Sequence, residues 1–293
     1  MKIYDCFQFF DENMMLDLRL NILNENVHKF VIVENSFMHS GTKKKPVFDI
    51  NNFSKFKDKI IYIVVDKKPS NILEVSQNDK LRLKNNKILH NSVERENFQR
   101  NSLLEGLKEA NNDDLILSSD LDEIPNLEKF KYNKKISLFK QYVFFYKFNL
   151  IQENFEWLGS RACKKKDLIS FQWLRNIKGR VYPAWRIDTI FSKKKYSDVD
   201  IIDKGGWHFT SIKKPEEIFY KFSNYLHHLE FEESGLNIED MKKIIKERKI
   251  IYDHDVGQSK KKFTAQKTLK KVDNSFLPDY LSKNLEKYYE WMD

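Results

Sequence analysis

Short apolar runs alternate with segments of helical periodicity along the first half of the chain. Continuous apolar runs predict strands buried on both faces, at residues 3–10, 30–33, 60–65 and 115–117. Apolar residues spaced three and four apart predict helices over residues 13–24 and 92–110. This alternation predicts an α/β fold with a largely parallel sheet that is covered by helices.

The second half of the chain has a different pattern. Apolar stretches predict strands of a mixed region, at residues 142–150, 169–174 and 189–192. The tail is predicted to be helical, with one helix that starts at Pro215 and two more over residues 238–251 and 278–292. No repeat or low-complexity linker interrupts the sequence, so we expect one continuous domain with a helical C-terminal extension.

Composition excludes several classes of protein. The chain has 293 residues, of which 41% are hydrophobic and 14% aromatic, and this excludes an intrinsically disordered protein. Cys6 and Cys163 are too few for a disulfide framework or a cysteine zinc site, and they favour a reducing compartment. No apolar run is long enough for a membrane-spanning helix, and the first residues do not resemble a signal peptide. We therefore expect a cytoplasmic protein.

The chain is basic, with a formal net charge of +9 and an isoelectric point near 9.1. Only nine of its 52 basic residues are arginines, whereas nucleic-acid recognition usually recruits arginine for bidentate contacts. The lysines occur in scattered clusters, which we interpret as solvated loops. Peripheral contact with an anionic membrane is the next interpretation.

An acidic motif follows the predicted strand at residues 115–117. It reads Ser-Ser-Asp-Leu-Asp-Glu-Ile-Pro, and on extended backbone Asp120 and Asp122 project from the same side. Ligands of open α/β sheets bind beyond the carboxyl ends of the strands. Mg²⁺ and Mn²⁺ are usually held by one or two carboxylates together with substrate phosphates. The motif therefore predicts a metal-assisted nucleotide-diphosphate site, and a solvated acidic turn is the alternative.

Five stretches in order along the chain resemble glycosyltransferase family 17, which includes the β-1,4-mannosyl-glycoprotein β-1,4-N-acetylglucosaminyltransferase. They begin with Tyr-Asp-Cys-Phe-x-Phe-Phe at residues 4–10 and Phe-Val-Ile-Val-Glu at 30–34. The acidic motif is the third, Gly-Trp-His-Phe at 206–209 the fourth, and Leu-Pro-x-Tyr-Leu at 277–281 the fifth. Their order and spacing resemble those of the short bacterial and viral members.

The resemblance implies a GT-A nucleotide-sugar-binding fold, which is a Rossmann-like mixed sheet flanked by helices. It also implies inverting chemistry, a Mn²⁺ or Mg²⁺ cofactor, UDP-N-acetylglucosamine as the donor and a glycan or glycoconjugate as the acceptor. On this basis we expect a nucleotide-binding half at residues 1–125, an acceptor-side half at 126–214 and the helical extension at 215–293. The sequence predicts neither the acceptor linkage nor an oligomeric state.

The resemblance also suggests the residues of the metal and donor sites. The metal ligands are expected to be Asp120 and Asp122, and His208 is either a third ligand or a packed core histidine. Asp120 is also expected to contact the donor, together with Asp5, Glu34, Arg95 and Arg100. For Glu34 a cap on the following loop is an equal alternative, and for the arginines surface pairing with Glu94 or Glu96 is another.

An inverting transfer needs a carboxylate that takes a proton from the acceptor hydroxyl. Glu230 is the first candidate, because His-Leu-Glu-Phe at residues 228–231 resembles a family stretch. Glu123 and Asp188 are the next candidates, and Asp188 stands where family members often have glycine. Trp157 and Trp185 are predicted to stack on acceptor sugars, with core packing as the alternative.

Two other classes of function compete with this prediction. A basic protein that binds nucleic acid or an anionic surface without catalysis would use the acids as a structural turn. A nucleotidyltransferase or a donor hydrolase would also use paired acids.

Overall fold

Parallel strands alternate with helical segments in the first 120 residues of the computed structural model, as the sequence predicts. The structure describes residues 1–128, 130–183, 185–189, 191–224, 228–253, 262–264 and 266–293. The first elements are β1 (Ile3–Phe9), α1 (Asn13–Leu23), β2 (Lys29–Asn35), β3 (Ile60–Val65), α2 (Leu81–Asn101), β4 (Leu115–Asp120) and β5 (Glu123–Pro125). Two 3₁₀ segments complete this part of the fold: Ile50–Lys59 lies between β2 and β3, and Ser102–Leu107 continues α2. The predicted helix over residues 92–110 is therefore the end of a longer helix.

The first four strands are parallel and lie in the order β3-β2-β1-β4. The chain builds outward from β1 to β3 and then returns to place β4 on the other side of β1. The order thus reverses between β1 and β4. Such a switch point opens a crevice beyond the carboxyl ends of the strands, where open α/β sheets bind their ligands.

The second half of the chain extends the same sheet with antiparallel and parallel pairs. Its strands are β6 (Ile136–Phe145), β7 (Leu150–Lys164), β8 (Val199–Ile202), β9 (Gly206–Thr210) and the short β10 (Lys270–Lys271). The main path continues from β4 through β7, β6 and β9 to β5, while β8 pairs with β6 and β10 with β7. The described residues therefore form one ten-stranded mixed sheet.

Helices cover both faces of the sheet. Phe7, Phe30 and Leu117 pack with α1 on one face, and Cys6 and Val31 pack on the other face. The remaining helices are α3 (Phe171–Asn176), α4 (Pro215–Asn224), α5 (His228–Ser234), α6 (Ile238–Lys246) and α7 (Asp279–Lys283). In the part of the chain that the structure describes, no helix combines the length and the apolar character that crossing a bilayer requires.

Four sequence predictions need correction. Residues 142–150 are not one strand, because β6 ends at Phe145 and β7 begins at Leu150 after a turn. Residues 169–174 alternate apolar and polar like a strand, but Phe171–Asn176 is a helix, because the Ser170 side chain caps it by accepting from the Trp173 amide. Residues 189–192 do not form the predicted strand where they are described, since Thr189 ends a 3₁₀ turn and residue 190 lies outside the described residues. The two C-terminal helices are shorter than predicted, ending at Lys246 and Lys283, and a 3₁₀ segment, Leu285–Trp291, follows the second.

Candidate functional site

A cavity of about 540 Å³ lies at the carboxyl ends of β1, β2 and β4, at the switch point of the sheet. This volume lies within the range of small-molecule sites, about 300–1,000 Å³. The amides Gln8, Asn35 and Gln99 and the aromatic rings Phe10 and Phe37 line it. Amides and aromatic rings are suited to hydrogen-bonding and stacking with a nucleoside.

Asp120 ends β4 and faces this cavity, where two arginines hold its carboxylate. Its Oδ1 accepts from Nη2 of Arg100 at 3.2 Å, and its Oδ2 accepts from Nη2 of Arg175 at 3.0 Å. Enclosure in the cavity wall acts to raise the pKa of Asp120, but Arg175 and Arg100 hold it well below its usual range. Both oxygens of Asp120 are therefore engaged by arginine in this conformation.

Asp122 lies beside His208, and both are candidate metal ligands of the sequence analysis. Its Oδ1 is 3.7 Å from Nε2 of His208, and both residues line the cavity. Burial raises the pKa of Asp122, and His208 and Lys221 offset only part of this effect. Nε2 of His208 also lies 2.8 Å from the Thr210 hydroxyl.

Backbone pairing between β5 and β9 sets the position of His208. The antiparallel register pairs Glu123 with His208, and the Phe209 amide donates to the Asp122 carbonyl at 2.9 Å. Gly206 makes this register possible, because its φ is +134° and an added Cβ would lie 2.1 Å from the Ile124 carbonyl oxygen. The glycine of the Gly-Trp-His motif is thus required by a close backbone approach.

Glu123 belongs to the acidic motif and is buried, and both oxygens of its carboxylate accept hydrogen bonds. Arg175 Nη1 donates to its Oε2 at 2.6 Å, and Nη2 donates to Oε1 at 2.9 Å. Trp157 Nε1 donates to Oε1 at 2.6 Å, and the Asp120 amide donates to Oε2 at 2.9 Å. These contacts make Glu123 an anchor of the motif and of Arg175, and they leave it poorly placed to take a proton from an acceptor.

Asp5 does not line the cavity but supports the acidic motif through Arg19. Arg19 and Asp5 form a fully buried bidentate ion pair, at 2.8 Å and 2.6 Å. Arg19 Nη1 then donates to the carbonyls of Asp120, Leu121 and Glu123, at 3.2, 3.1 and 2.7 Å. Asp5 therefore acts through Arg19 on the backbone of the motif, and its donor contact stays a prediction.

Glu34 has the role of a loop cap, which is one of the two roles that the sequence suggests. Its buried carboxylate accepts from the Val47 and Phe48 amides at 2.9 and 3.0 Å, from the Tyr62 hydroxyl at 2.8 Å, and from Lys44. Of these residues, only Lys44 lines the cavity. Glu34 therefore holds the loop that carries Lys44.

The two arginines of α2 have different positions. Arg100 lines the cavity and also binds Glu96 at 2.6 Å, so the pairing that the sequence suggests is present there together with the contact to Asp120. Arg95 does not line the cavity. It donates to the His39 carbonyl at 2.9 Å and packs against Gly41, so it supports the loop that contains His39.

The other predicted residues divide between the cavity and the surface. Trp157 lines the cavity, and its ring centroid is 5.8 Å from that of His208. Trp185 is 80% exposed and lies outside the lining, as does Asp188, which pairs with Arg186 and Lys195. Glu230 lies on α5 with an exposed side chain, and it is not among the described residues that line the cavity. Its predicted role as the base would require α5 to move.

Sequence reasoning missed Arg175, although it binds both Asp120 and Glu123. Its helix α3 resembles a strand in the sequence, and 52 residues separate Arg175 from Glu123. Arg161 fixes the end of α3, because its Nη1 donates to the carbonyls of Leu174, Arg175 and Ile177. The scarcity of arginine could have indicated this residue. Four of the nine arginines hold the acidic motif or α3 on this side of the cavity: Arg19, Arg100, Arg161 and Arg175.

Sequence reasoning also missed a second set of ion pairs that lines the cavity. Lys221 of α4 lies 3.3 Å from Oε1 of Glu12, and Lys213 lies 3.5 Å from the same oxygen and also contacts Asp11. Burial acts to raise the pKa of Glu12, but Lys221 and Lys213 lower it to about 2. We call Asp120, Glu123, Arg100 and Arg175 the arginine wall, and Glu12, Lys213 and Lys221 the lysine wall.

The donor atoms of Asp122 and His208 fit one divalent ion. Bonds from Mg²⁺ or Zn²⁺ to carboxylate and imidazole are about 2.0–2.2 Å long, so two donors of one ion are at most about 4.4 Å apart. The separation of 3.7 Å meets this limit. Within the described ranges, no group of three or more His, Cys, Asp or Glu side chains is placed to hold a metal ion. The protein would thus supply two ligands and leave other positions open.

Comparison with known proteins assigns the chain to a family. The model of glycosyltransferase family 17 matches residues 1–291, which is nearly the whole chain. No curated protein matches the sequence. The cavity with its acidic motif at the switch point of the sheet lies within the matched residues, and the chain therefore belongs to glycosyltransferase family 17 and is a glycosyltransferase.

Proposed function

We propose that this glycosyltransferase has a GT-A fold and transfers a sugar, expected to be N-acetylglucosamine, from a UDP donor to a glycan acceptor with inversion. The parallel order β3-β2-β1-β4, with the acidic motif at the end of β4, supports a nucleotide-sugar site. The family assignment supports the sugar donor and the glycan acceptor in general. The choice of uridine and of N-acetylglucosamine rests on the sequence resemblance.

The pair formed by Asp122 and His208 is the observation that carries the metal dependence. An ion held by these two side chains would leave coordination positions for diphosphate oxygens, as Mg²⁺ and Mn²⁺ sites commonly do. When bound, such an ion supplies Lewis-acid stabilisation of the charge that develops on the leaving diphosphate. The two carboxylate oxygens of Asp120 accept from Arg100 and Arg175, so we assign to Asp120 the role of positioning these arginines.

The charge of the cavity supports this assignment. Its described lining contains five carboxylates and five cationic side chains: Glu12, Glu96, Asp120, Asp122 and Glu123, and Lys44, Arg100, Arg175, Lys213 and Lys221. A diphosphate therefore enters a site whose fixed charges already balance. A divalent cation at Asp122 would supply the positive charge that the protein itself does not add.

The residues of the chain have separate tasks in this proposal. Arg19 and Glu123 fix the backbone of the acidic motif, so that Asp122 is held without reorganisation during the reaction. The amides and rings at the ends of β1 and β2 bind the nucleoside. Trp157 presents its ring near His208, where a sugar face can pack against it.

Calorimetric titration of UDP with and without Mn²⁺ tests the proposal. Asp122→Asn should abolish the Mn²⁺-dependent part of the affinity and leave the melting temperature unchanged, because the substitution keeps the size of the side chain. Asp203→Asn, whose carboxylate is exposed and outside the cavity, is the matched control. Parental Mn²⁺-dependent binding by the Asp122 variant would remove the metal assignment. Tighter binding of guanosine or cytidine nucleotides than of uridine nucleotides would remove the donor assignment.

A further inference from the structure

A loop that follows α3 exposes two large aromatic side chains. Trp185 is 80% exposed and Phe191 is 84% exposed, and Val181 in the same loop is 49% exposed. Soluble proteins seldom expose large apolar side chains together, and such patches mark contact sites. We call the described residues between 178 and 196 the aromatic loop.

The aromatic loop is a folded structure. The Lys178 amide donates to the Lys194 carbonyl at 2.8 Å, and the Tyr182 amide donates to the Tyr196 carbonyl at 3.3 Å, so that its ends are tied together. Tyr182 is buried, and the guanidinium of Arg180 lies 4.8 Å from its ring centroid. The exposed aromatic rings are thus presented by an anchored loop.

The same loop is strongly basic. It contains six basic residues and one acidic residue: Lys178, Arg180, Arg186, Lys193, Lys194, Lys195 and Asp188. Arg186 and Lys195 pair with Asp188. Within the described part of the chain, Lys178, Arg180, Lys193 and Lys194 are exposed and make no salt bridge. Their charge is therefore available to an anionic partner.

We propose that the aromatic loop binds the surface of an anionic phospholipid bilayer. Tryptophan and phenylalanine insert at the headgroup level of membranes, and lysines beside them attract anionic lipids. A nucleic-acid ligand fits this loop less well, because Arg186 pairs with Asp188, Arg180 lies over the Tyr182 ring, and the four remaining basic residues are lysines. The combination of exposed aromatic rings and lysines is the chemistry of a peripheral membrane contact.

The position of the loop relates this contact to the cavity. Arg175 and Asn176 line the cavity, and the aromatic loop begins two residues later. Trp173 joins the two, because its Nε1 donates to the Lys193 carbonyl at 2.7 Å. A bilayer bound at this loop therefore lies close to α3. If the proposed function holds, an acceptor glycan anchored in the membrane is within reach.

Sedimentation with sucrose-loaded vesicles tests the membrane contact without any activity measurement. The full chain should sediment with vesicles of phosphatidylcholine mixed with phosphatidylglycerol, and much less with phosphatidylcholine alone. Each basic residue contributes a factor of about five at an anionic surface, so Lys193→Ser with Lys194→Ser should lower the partition coefficient about 25-fold. Trp185→Ser with Phe191→Ser should lower it by at least about tenfold.

Two exposed leucines at the start of α2 provide a matched control. Leu81 is 75% exposed and Leu83 is 49% exposed, and basic residues lie next to them in the sequence. Leu81→Ser with Leu83→Ser should leave vesicle binding unchanged. The proposal would be overturned if both loop variants bound vesicles as tightly as the parent chain. It would also be overturned if the leucine control lost as much vesicle binding as the loop variants. Retention on DNA in the absence of vesicle binding would overturn it as well.

Tryptophan fluorescence reports the contact directly. Lipids brominated near the headgroup should quench the parent chain on anionic vesicles, and Trp185→Phe should remove that quenching while the variant still sediments. Quenching that persists in Trp185→Phe would place the contact elsewhere on the protein and overturn the proposal.

Discussion

The arginine wall and the lysine wall both pair acids with bases around one cavity, but they use different bases. On the arginine wall, Arg175 binds Glu123 through both nitrogens of its fork, at 2.6 and 2.9 Å. On the lysine wall, single ammonium contacts of 3.3 and 3.5 Å join Lys221 and Lys213 to Glu12. A planar guanidinium fixes direction, whereas an ammonium on a flexible stem can exchange partners. We infer that the first wall positions the acidic motif and the second adjusts to what binds.

Arg19→Ala should have the largest effect on stability, because Arg19 holds the backbone carbonyls of the acidic motif in the arginine wall. Asp5 would remain as a buried carboxylate without its partner, and three carbonyls of the acidic motif would lose their donor. The free energy of unfolding should fall by about 3–5 kcal/mol. Urea denaturation measures this change. The matched control is Lys287→Ala, whose exposed ammonium pairs with Asp17 on the surface of α1 and should contribute about 0–1 kcal/mol.

Arg175→Met tests the ion pair between Arg175 and Glu123 in the arginine wall. Glu123 is 1% exposed and would lose its bidentate partner, so its pKa should rise and the protein should be destabilised by about 3 kcal/mol. The double variant Arg175→Met with Glu123→Gln removes both charges and should recover much of that stability. A double-mutant cycle gives the coupling energy. Additive losses would show that Arg175 and Glu123 do not act as a unit.

Lys221→Met should have a smaller effect on stability, about 1 kcal/mol, because the contact is single and partly exposed. Burial acts to lower the pKa of Lys221, but Glu12 and Asp122 raise it, so its charge is present at neutral pH. Loss of this charge near Asp122 should change UDP affinity more than it changes unfolding. Calorimetry and thermal melting of the same variant separate the two effects. A stability loss equal to that of Arg175→Met would contradict the distinction between the walls.

The acid dependence of stability should identify Glu12. Its pKa is lowered from 4.5 to about 2, so its contribution is present above pH 4.5 and is lost as the pH falls toward 2. The unfolding free energy of the parent should therefore decrease over this window more steeply than that of Glu12→Gln. Denaturation at a series of pH values measures the difference. Parallel curves for the two proteins would show that the lysine wall does not hold Glu12 as a carboxylate.

Glu230→Gln should have the smallest effect, with transfer within about twofold of the parent. Glu230 is exposed on α5 and outside the described cavity lining, whereas a general base must lie within hydrogen-bond reach of the acceptor hydroxyl. Initial rates of UDP release measure the effect. A fall of about 10² to 10⁴ would identify Glu230 as the base and require α5 to close over the cavity.

The sequence predicted the parallel half of the fold because strands buried on both faces leave continuous apolar runs. It suggested Asp120, Asp122 and His208 as one site because their motifs resemble those of glycosyltransferase family 17. It could not reveal that Arg19 reaches the acidic motif, since 104 residues separate Arg19 from Glu123 and only folding brings them together. The strand predicted at residues 169–174 failed for a local reason, because Ser170 caps a helix whose far end Arg161 binds.

The pairing of β5 with β9 has a consequence for how such an enzyme can diversify. The proximity of Asp122 and His208 follows from the backbone register between Glu123 and His208 and from the glycine that permits it. Within the chain between these two strands, β6 pairs with β9 and Arg175 binds Glu123, whereas the aromatic loop takes part in neither contact. Insertions or deletions in the aromatic loop can therefore reshape the surface next to α3 while Asp122 and His208 keep their spacing. An engineered chimaera should exchange residues 178–196 and retain β5, β6 and β9.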